Sequence, residues 1–138
     1  MVHALKKVQQ MLKPGAPVLV VHDTVDSPRI TVQYLDQSRY AGQLNSDTSF
    51  ENQRLADQAI DELVQQGIFS ANNFTIFEND IRADSLADFT DWLAESWESA
   101  YLSPGTRAKI AELVENWGGE AEIVLHMISR IIQLDPAG

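Results

Sequence analysis

The sequence predicts an α/β fold, in which helices cover a β-sheet. Three observations predict it. Residues 18–21 form an uninterrupted aliphatic run after an amphipathic helix, residues 121–134 form a second long apolar run, and helical patterns lie between them. Strands without polar alternation are typical of sheets covered on both faces. A chain of 138 residues has the length of one domain, so we predict a single domain over 1–138.

The first helix is predicted over residues 2–13, because apolar residues recur at three- and four-residue spacing between Leu5 and Leu12. Pro14 and Gly15 should end it, since proline cannot continue a helix and glycine tolerates a left-handed exit. A short strand is predicted to follow at 17–22.

The next segment, residues 24–46, is harder to interpret. Residues 30–35 fit either a short strand or one side of a helix, so we expect an excursion with partial order. A helix is predicted to follow this segment and to end at Gln66, with Gly67 as its expected C-terminal cap.

The second half of the chain is predicted to hold a strand, two helices and a final strand. The strand at 68–77 should contain a polar turn at 71–73. Ser85 and Ser103-Pro104 are expected to begin the helices, because serine caps helix N-termini and proline suits the first helical position. The final strand, 121–134, carries apolar residues on both faces and should therefore lie inside a sheet.

This order resembles the C-terminal half of class I S-adenosylmethionine-dependent methyltransferases. Leu12-Lys13-Pro14-Gly15 is similar to the turn before the family's fifth strand, with Ala16 replacing a second glycine. Gln66-Gly67-Ile68-Phe69 and the stretch Asp84–Leu93 resemble the approach to the sixth strand and a later helical insertion. The resemblance implies a partial Rossmann-like methyltransferase sheet of about three main strands, mixed parallel and antiparallel, with flanking helices. In such a sheet the last strand lies antiparallel between the other two.

The resemblance leaves out the half of the family that binds the cofactor. That half has a glycine-rich turn, which lets the backbone approach the cofactor closely. None of the seven glycines here stands in a GxG pattern. We therefore expect no cofactor in the isolated chain, and S-adenosylmethionine only if a partner supplies the missing half.

Three functions remain open at this point. The first is a methyltransferase-like binding or assembly module without catalysis, and the second is one subunit of a split methyltransferase. The third is an unrelated small enzyme that uses His22, Asp23 and Asp26, because ligands bind at strand ends in open α/β sheets and a histidine beside a carboxylate can act as a base. A polar strand terminus with turn-forming aspartates explains these three residues better than catalysis does.

An unpaired apolar edge at Val18–Val21 would be a liability for a soluble protein. A homodimer that pairs this edge with its twin would cover it, because antiparallel pairing across a dyad is self-complementary. A partner protein is the alternative.

Composition excludes several kinds of partner and site. The net charge of −10 disfavours nucleic acid and anionic membranes. The chain has no cysteine, which excludes thiol nucleophiles and zinc–thiolate sites, and we predict no metal site. No run has membrane-spanning length and no signal peptide is recognisable, so a cytoplasmic protein is expected.

The remaining polar and aromatic residues have structural interpretations. His126 and Arg130 are expected to form a half-buried pair on one face of the last strand. Four aromatic residues are expected to pack between helices rather than to form a ligand platform. They are Trp92, Trp97, Tyr101 and Trp117.

Overall fold

The computed structural model describes residues 1–24, 27–46 and 49–137, which contain four helices and seven strands. The helices are α1 (Val2–Met11), α2 (Ser49–Gln65), α3 (Leu86–Ser96) and α4 (Pro104–Asn116). The strands are β1 (Val18–Asp23), β2 (Arg29–Tyr34), β3 (Gln37–Gln43), β4 (Asn45–Ser46), β5 (Phe69–Ala83), β6 (Ala100–Tyr101) and β7 (Glu122–Pro136). None of these helices combines the length and apolar content needed to cross a lipid bilayer.

Five strands form one antiparallel sheet in the order β1-β7-β2-β3, with β5 also paired to β7, while β4 and β6 form a separate ribbon. The predicted partial Rossmann-like methyltransferase sheet of α/β type, mixed parallel and antiparallel, is therefore wrong. Two expected pairings are confirmed. Strand β7 runs antiparallel to β1, from Val18 opposite Leu134 to Asp23 opposite Ser129, and it also pairs antiparallel with β5.

The predicted sheet is wrong because residues 24–46 contain the β2–β3 hairpin. Tyr34 pairs with Gln37, so the loop between the strands is only Leu35-Asp36. Leu35 has φ of 54°, a conformation that normally favours glycine or asparagine. The hairpin therefore lacks the usual turn residues, and its strands bring an antiparallel edge to β7 that a parallel fold would not have.

The chain divides into two compact units. Unit 1 comprises Met1–Val25, Glu51–Phe77 and Ser129–Gly138, and unit 2 comprises Asp26–Phe50 and Glu78–Ile128. Strands β5 and β7 each contribute residues to both units.

The core of unit 1 lies between α1, α2 and the strands of that unit. Its buried residues are Leu5, Ile60, Leu63, Phe69, Ile132 and Leu134. Val18 and Val20 of β1 pack against them, whereas Leu19 and Val21 are 65% and 59% exposed. The expectation that this strand is covered on both faces is therefore wrong.

The core of unit 2 is larger and is covered by α3 and α4. It includes Ile30, Val32, Leu44, Phe89, Leu93, Ile110, Leu113, Ile123, Leu125 and Met127. The predicted starts of both helices are confirmed, because Ser85 Oγ accepts a hydrogen bond from the Asp88 amide and Ser103 Oγ accepts one from the Thr106 amide. The three tryptophans pack against this core, where Trp117 stacks on Tyr34 of β2, and Tyr101 is about half exposed on β6.

The two long strands explain why the sequence pattern was misread. In β7 the core residues of unit 2 are odd-numbered, from Ile123 to Met127, and those of unit 1 are the even-numbered Ile132 and Leu134. The strand thus contributes to two cores in turn, and Val124, between Ile123 and Leu125, is fully buried as well. Strand β5 is continuous from Phe69 to Ala83, so the polar turn expected at 71–73 is absent there.

Candidate functional site

In unit 1 three charged side chains meet beside the end of β1. His22 ends the apolar part of β1, Asp57 lies on α2 and Arg130 lies on β7. The Asp57 Oδ1 atom is 3.0 Å from His22 Nε2 and also accepts a hydrogen bond from Arg130 Nη2. The His22 side chain is only 13% exposed, and the other two are less than one-third exposed. This His22 cluster is a compact, half-buried network of a carboxylate with two donors.

A second layer of hydrogen bonds holds the cluster. His22 Nδ1 is 2.8 Å from the Asp23 carbonyl oxygen, and the buried Ser129 Oγ donates to Asp23 Oδ1 over 2.8 Å. The structure thus brings together two of the three residues predicted from the strand end, His22 and Asp23. The third, Asp26, lies outside the described residues.

The hydrogen bonds of His22 leave it little catalytic capacity. Nδ1 contacts the Asp23 carbonyl oxygen, and Nε2 contacts both Asp57 Oδ1 and Arg130 Nη2, so both nitrogens are occupied by neighbouring protein groups rather than directed at a substrate. A general base needs a free lone pair within reach of the proton that it removes. Ser129 bonds to Asp23 and not to His22, so the cluster also lacks an activated nucleophile. The His22 cluster therefore joins β1, α2 and β7 through polar contacts, and we call it the polar clasp.

A small pocket of about 140 Å³ adjoins the clasp. Its lining includes Asp57, Ile60, Asn72, Phe74, Arg130 and Ile132. Ligand pockets usually have roughly 300 Å³ or more, so this one suits a few water molecules rather than a nucleotide-sized cofactor. Arg130 Nε is buried and has no hydrogen-bond partner within the described residues, which makes it the natural donor to such a water.

The expected pairing of His126 with Arg130 is wrong. Arg130 binds Asp57, whereas His126 Nε2 forms a hydrogen bond with Thr31 Oγ1 at 2.8 Å. Sequence reasoning missed Asp57, Ser129 and the true role of Arg130. The available signal was Ser129-Arg130, a polar pair inside an otherwise aliphatic strand, which indicates a buried polar partner elsewhere in the chain.

Unit 1 also exposes apolar groups on its outer strands. Strand β1 ends the sheet order, so its second edge has no partner strand among the described residues. It presents Leu19 and Val21 to solvent, and no charged residue occurs from Pro14 to Val21. We call the stretch Val18–Val21 the apolar edge. On β5, Phe74 and Ile76 are more than half exposed as well.

The outer strand of unit 2 differs. Strand β3 also ends the sheet order, but it carries the polar and charged residues Gln37, Ser38 and Arg39. Charged side chains on an edge strand discourage pairing with another chain. Strand β1 lacks this protection, and so does the unit 1 part of β5, which pairs with β7 alone among the described strands and has no charged residue from Phe69 to Phe77.

The chain matches no family model, and no curated protein or solved structure resembles it at a significant level.

Proposed function

We propose that this chain is a non-catalytic binding and assembly module, two copies of which associate through the apolar edge. The observation that carries the proposal is β1, an outer strand with exposed Leu19 and Val21 and no protecting charge. Natural proteins normally blunt or cover such strands. A surface of this kind favours association over solvation.

A second copy is the occupant that fits best. Two antiparallel β1 strands related by a two-fold axis present the same backbone groups to each other, so one strand satisfies its twin. The side chains of Val18–Val21 are all aliphatic, so two identical edges can meet without like-charge repulsion. A heterologous partner protein is the other outcome that the experiment below separates.

The polar clasp supports a structural role beside this edge. It fixes the end of β1 through Asp57 and Ser129, so the strand is held ready for pairing. Because both nitrogens of His22 are engaged, the alternative of a small enzyme based on His22 and Asp23 lacks support. The methyltransferase alternatives lose their support because they imply a mixed parallel and antiparallel sheet, whereas the sheet of this chain is antiparallel.

Light scattering over a range of protein concentrations tests the proposal. The wild type should reach twice its 15.4 kDa chain mass. Leu19→Lys and Val21→Lys should each keep the protein monomeric, because both copies would bring the same positive charge to the paired strands, and neighbouring like charges across an antiparallel pair repel. Leu35→Lys is the matched control, since Leu35 is 86% exposed on the hairpin of unit 2.

The salt dependence of the mass adds a second criterion. Each chain carries a net charge of −10, so two copies repel at long range. Salt screens this repulsion, and association should become stronger between low and physiological ionic strength. A wild type that stays at 15.4 kDa throughout, or a Leu35→Lys variant as defective as Val21→Lys, would contradict the proposal.

A further inference from the structure

A second histidine cluster lies in unit 2, and its contacts differ from those of His22. Glu78 and Asp80 occupy alternate positions of β5, so both side chains point to the same face of the sheet. His126 lies on the neighbouring strand β7. One potential ligand atom from each of these three residues lies within 4.8 Å of the others.

The hydrogen bonds around His126 leave one nitrogen for a ligand. Nε2 is fixed by Thr31 Oγ1 at 2.8 Å, and the Thr31 residue is itself buried. Nδ1 lies 3.2 Å from Asp80 Oδ1 but outside hydrogen-bond geometry, and this buried atom has no hydrogen-bond partner within the described residues. If Nε2 donates to Thr31, neutral His126 directs the Nδ1 lone pair towards two carboxylates. That arrangement is repulsive, and a cation bound between them would relieve it.

The carboxylate of Asp80 is also oriented by a contact at its second oxygen atom. Its Oδ1 atom faces His126, while its Oδ2 atom is 3.6 Å from Arg82 Nη2. Arg82 is in turn held by Gln33 and Glu122, each at 3.0 Å. Outer partners of this kind, a hydroxyl on the histidine and a cation on the carboxylate, are what metal ligands require for a fixed orientation.

We propose that Glu78, Asp80 and His126 bind a divalent zinc-type cation. One imidazole nitrogen and two carboxylate oxygens form a ligand set that zinc accepts, with a fourth position left for water. Zinc bonds of about 2.1 Å place tetrahedral ligand atoms about 3.4 Å apart, close to the 3.2 Å between Nδ1 and Oδ1. Glu78 is exposed, so its side chain is free to close the remaining distance. The absence of cysteine suggested no metal site, but this ligand set needs none.

Calorimetric titration of tag-free, chelator-treated protein with zinc chloride tests the site. The wild type should bind one zinc ion. Glu78→Gln and Asp80→Asn should each weaken binding at least about tenfold, because each removes an anionic ligand without changing side-chain size. Thr31→Val should weaken it by about ten- to a hundredfold through loss of the outer hydrogen bond.

The polar clasp supplies the matched controls. His22→Gln and Asp57→Asn alter the other histidine–carboxylate cluster and should leave zinc affinity unchanged. As an independent readout, zinc should shift the imidazole NMR signals of His126 and leave those of His22 and His3 in place. The proposal is overturned if the wild type shows no saturable one-to-one binding, if Glu78→Gln and Asp80→Asn bind like the wild type, or if His22→Gln abolishes binding.

Discussion

The two units place a histidine beside an aspartate in different circumstances. In unit 1, His22 is closed: both nitrogens face acceptors, and Asp57 also binds Arg130. In unit 2, His126 is open: one nitrogen bonds to Thr31 and the other faces carboxylates without a hydrogen bond. The apolar groups follow the reverse pattern, since unit 1 exposes Leu19 and Val21 while the outer strand of unit 2 carries polar side chains.

This contrast shows that a histidine–aspartate contact does not by itself identify a function. What differs is the ring nitrogen beside the aspartate. In His22 that nitrogen, Nε2, also contacts Arg130, so the cluster is complete and holds strands and helix together. In His126 that nitrogen, Nδ1, has no hydrogen bond within the described residues, and a cation fits the surrounding charge.

The largest expected effect is loss of a buried phenyl ring from either core. Phe69 in unit 1 and Phe89 in unit 2 are both essentially fully buried. Phe69→Ala and Phe89→Ala should each lower the free energy of unfolding by about 3–5 kcal/mol, through lost burial and the cavity left behind. Urea unfolding by circular dichroism measures both. If either variant lowered the free energy of unfolding by less than about 1 kcal/mol, that unit would not be stabilised by a core of its own.

A close approach in unit 2 should give the next effect. A Cβ atom at Gly42 would lie 2.3 Å from Thr106 Oγ1, and the backbone there has φ of 150°. Gly42→Ala should therefore cost about 2–3 kcal/mol by overpacking. Combining it with Thr106→Ala should recover part of that cost, so the double variant is the control. Equal costs in both backgrounds would show that Thr106 is not the obstacle.

The comparison of the two clusters is tested by matched aspartate variants. Asp57→Asn removes the charge that serves both His22 and Arg130, and should destabilise the protein by about 2 kcal/mol. Asp80→Asn, measured without zinc, should cost less than about 0.5 kcal/mol because Arg82 keeps its pairing with Glu122 and His126 keeps its hydrogen bond to Thr31. Thermal or urea unfolding of both variants decides. Equal losses of unfolding free energy in the two variants would contradict the distinction between a structural polar clasp and a ligand site.

The smallest expected effect is a gain. Leu35 holds a positive φ in the β2–β3 loop and buries almost nothing. Leu35→Asn should stabilise the protein by about 1 kcal/mol, because asparagine tolerates this conformation better than leucine. Asp36→Asn, at the neighbouring loop position without a positive φ, is the control. A destabilising Leu35→Asn would mean that the loop conformation is assigned incorrectly.

Local chemistry predicted some of this fold well. Ser85, Ser103-Pro104 and Gly67 lie at helix ends as predicted, so these boundaries followed from capping residues. Helix α1 instead ends at Met11, before Pro14 and Gly15. The antiparallel neighbours β1 and β7 were also expected. The hairpin was missed because Leu35 occupies a position where glycine or asparagine would have signalled a turn.

Long-range partners could not be predicted in the same way. The prediction that β7 lies inside a sheet is confirmed, but the sequence did not show that its apolar residues belong to two cores with different parity. His22 and Asp23 were recognised as polar strand-end residues, but Asp57 is an ordinary surface-type residue of an amphipathic helix until the fold brings it to Arg130. Likewise, Glu78 and Asp80 gain meaning only when β5 lies beside β7.

Amide hydrogen exchange at low and high protein concentration tests the central claim, self-association of unit 1 through β1, most directly. The account predicts that the amides of Val18–Val21 become more protected as concentration rises, while those of Gln37–Gln43 in β3 keep their exchange rates. Unchanged exchange at Val18–Val21 over the whole range, or protection that rises in β3 instead, would contradict it.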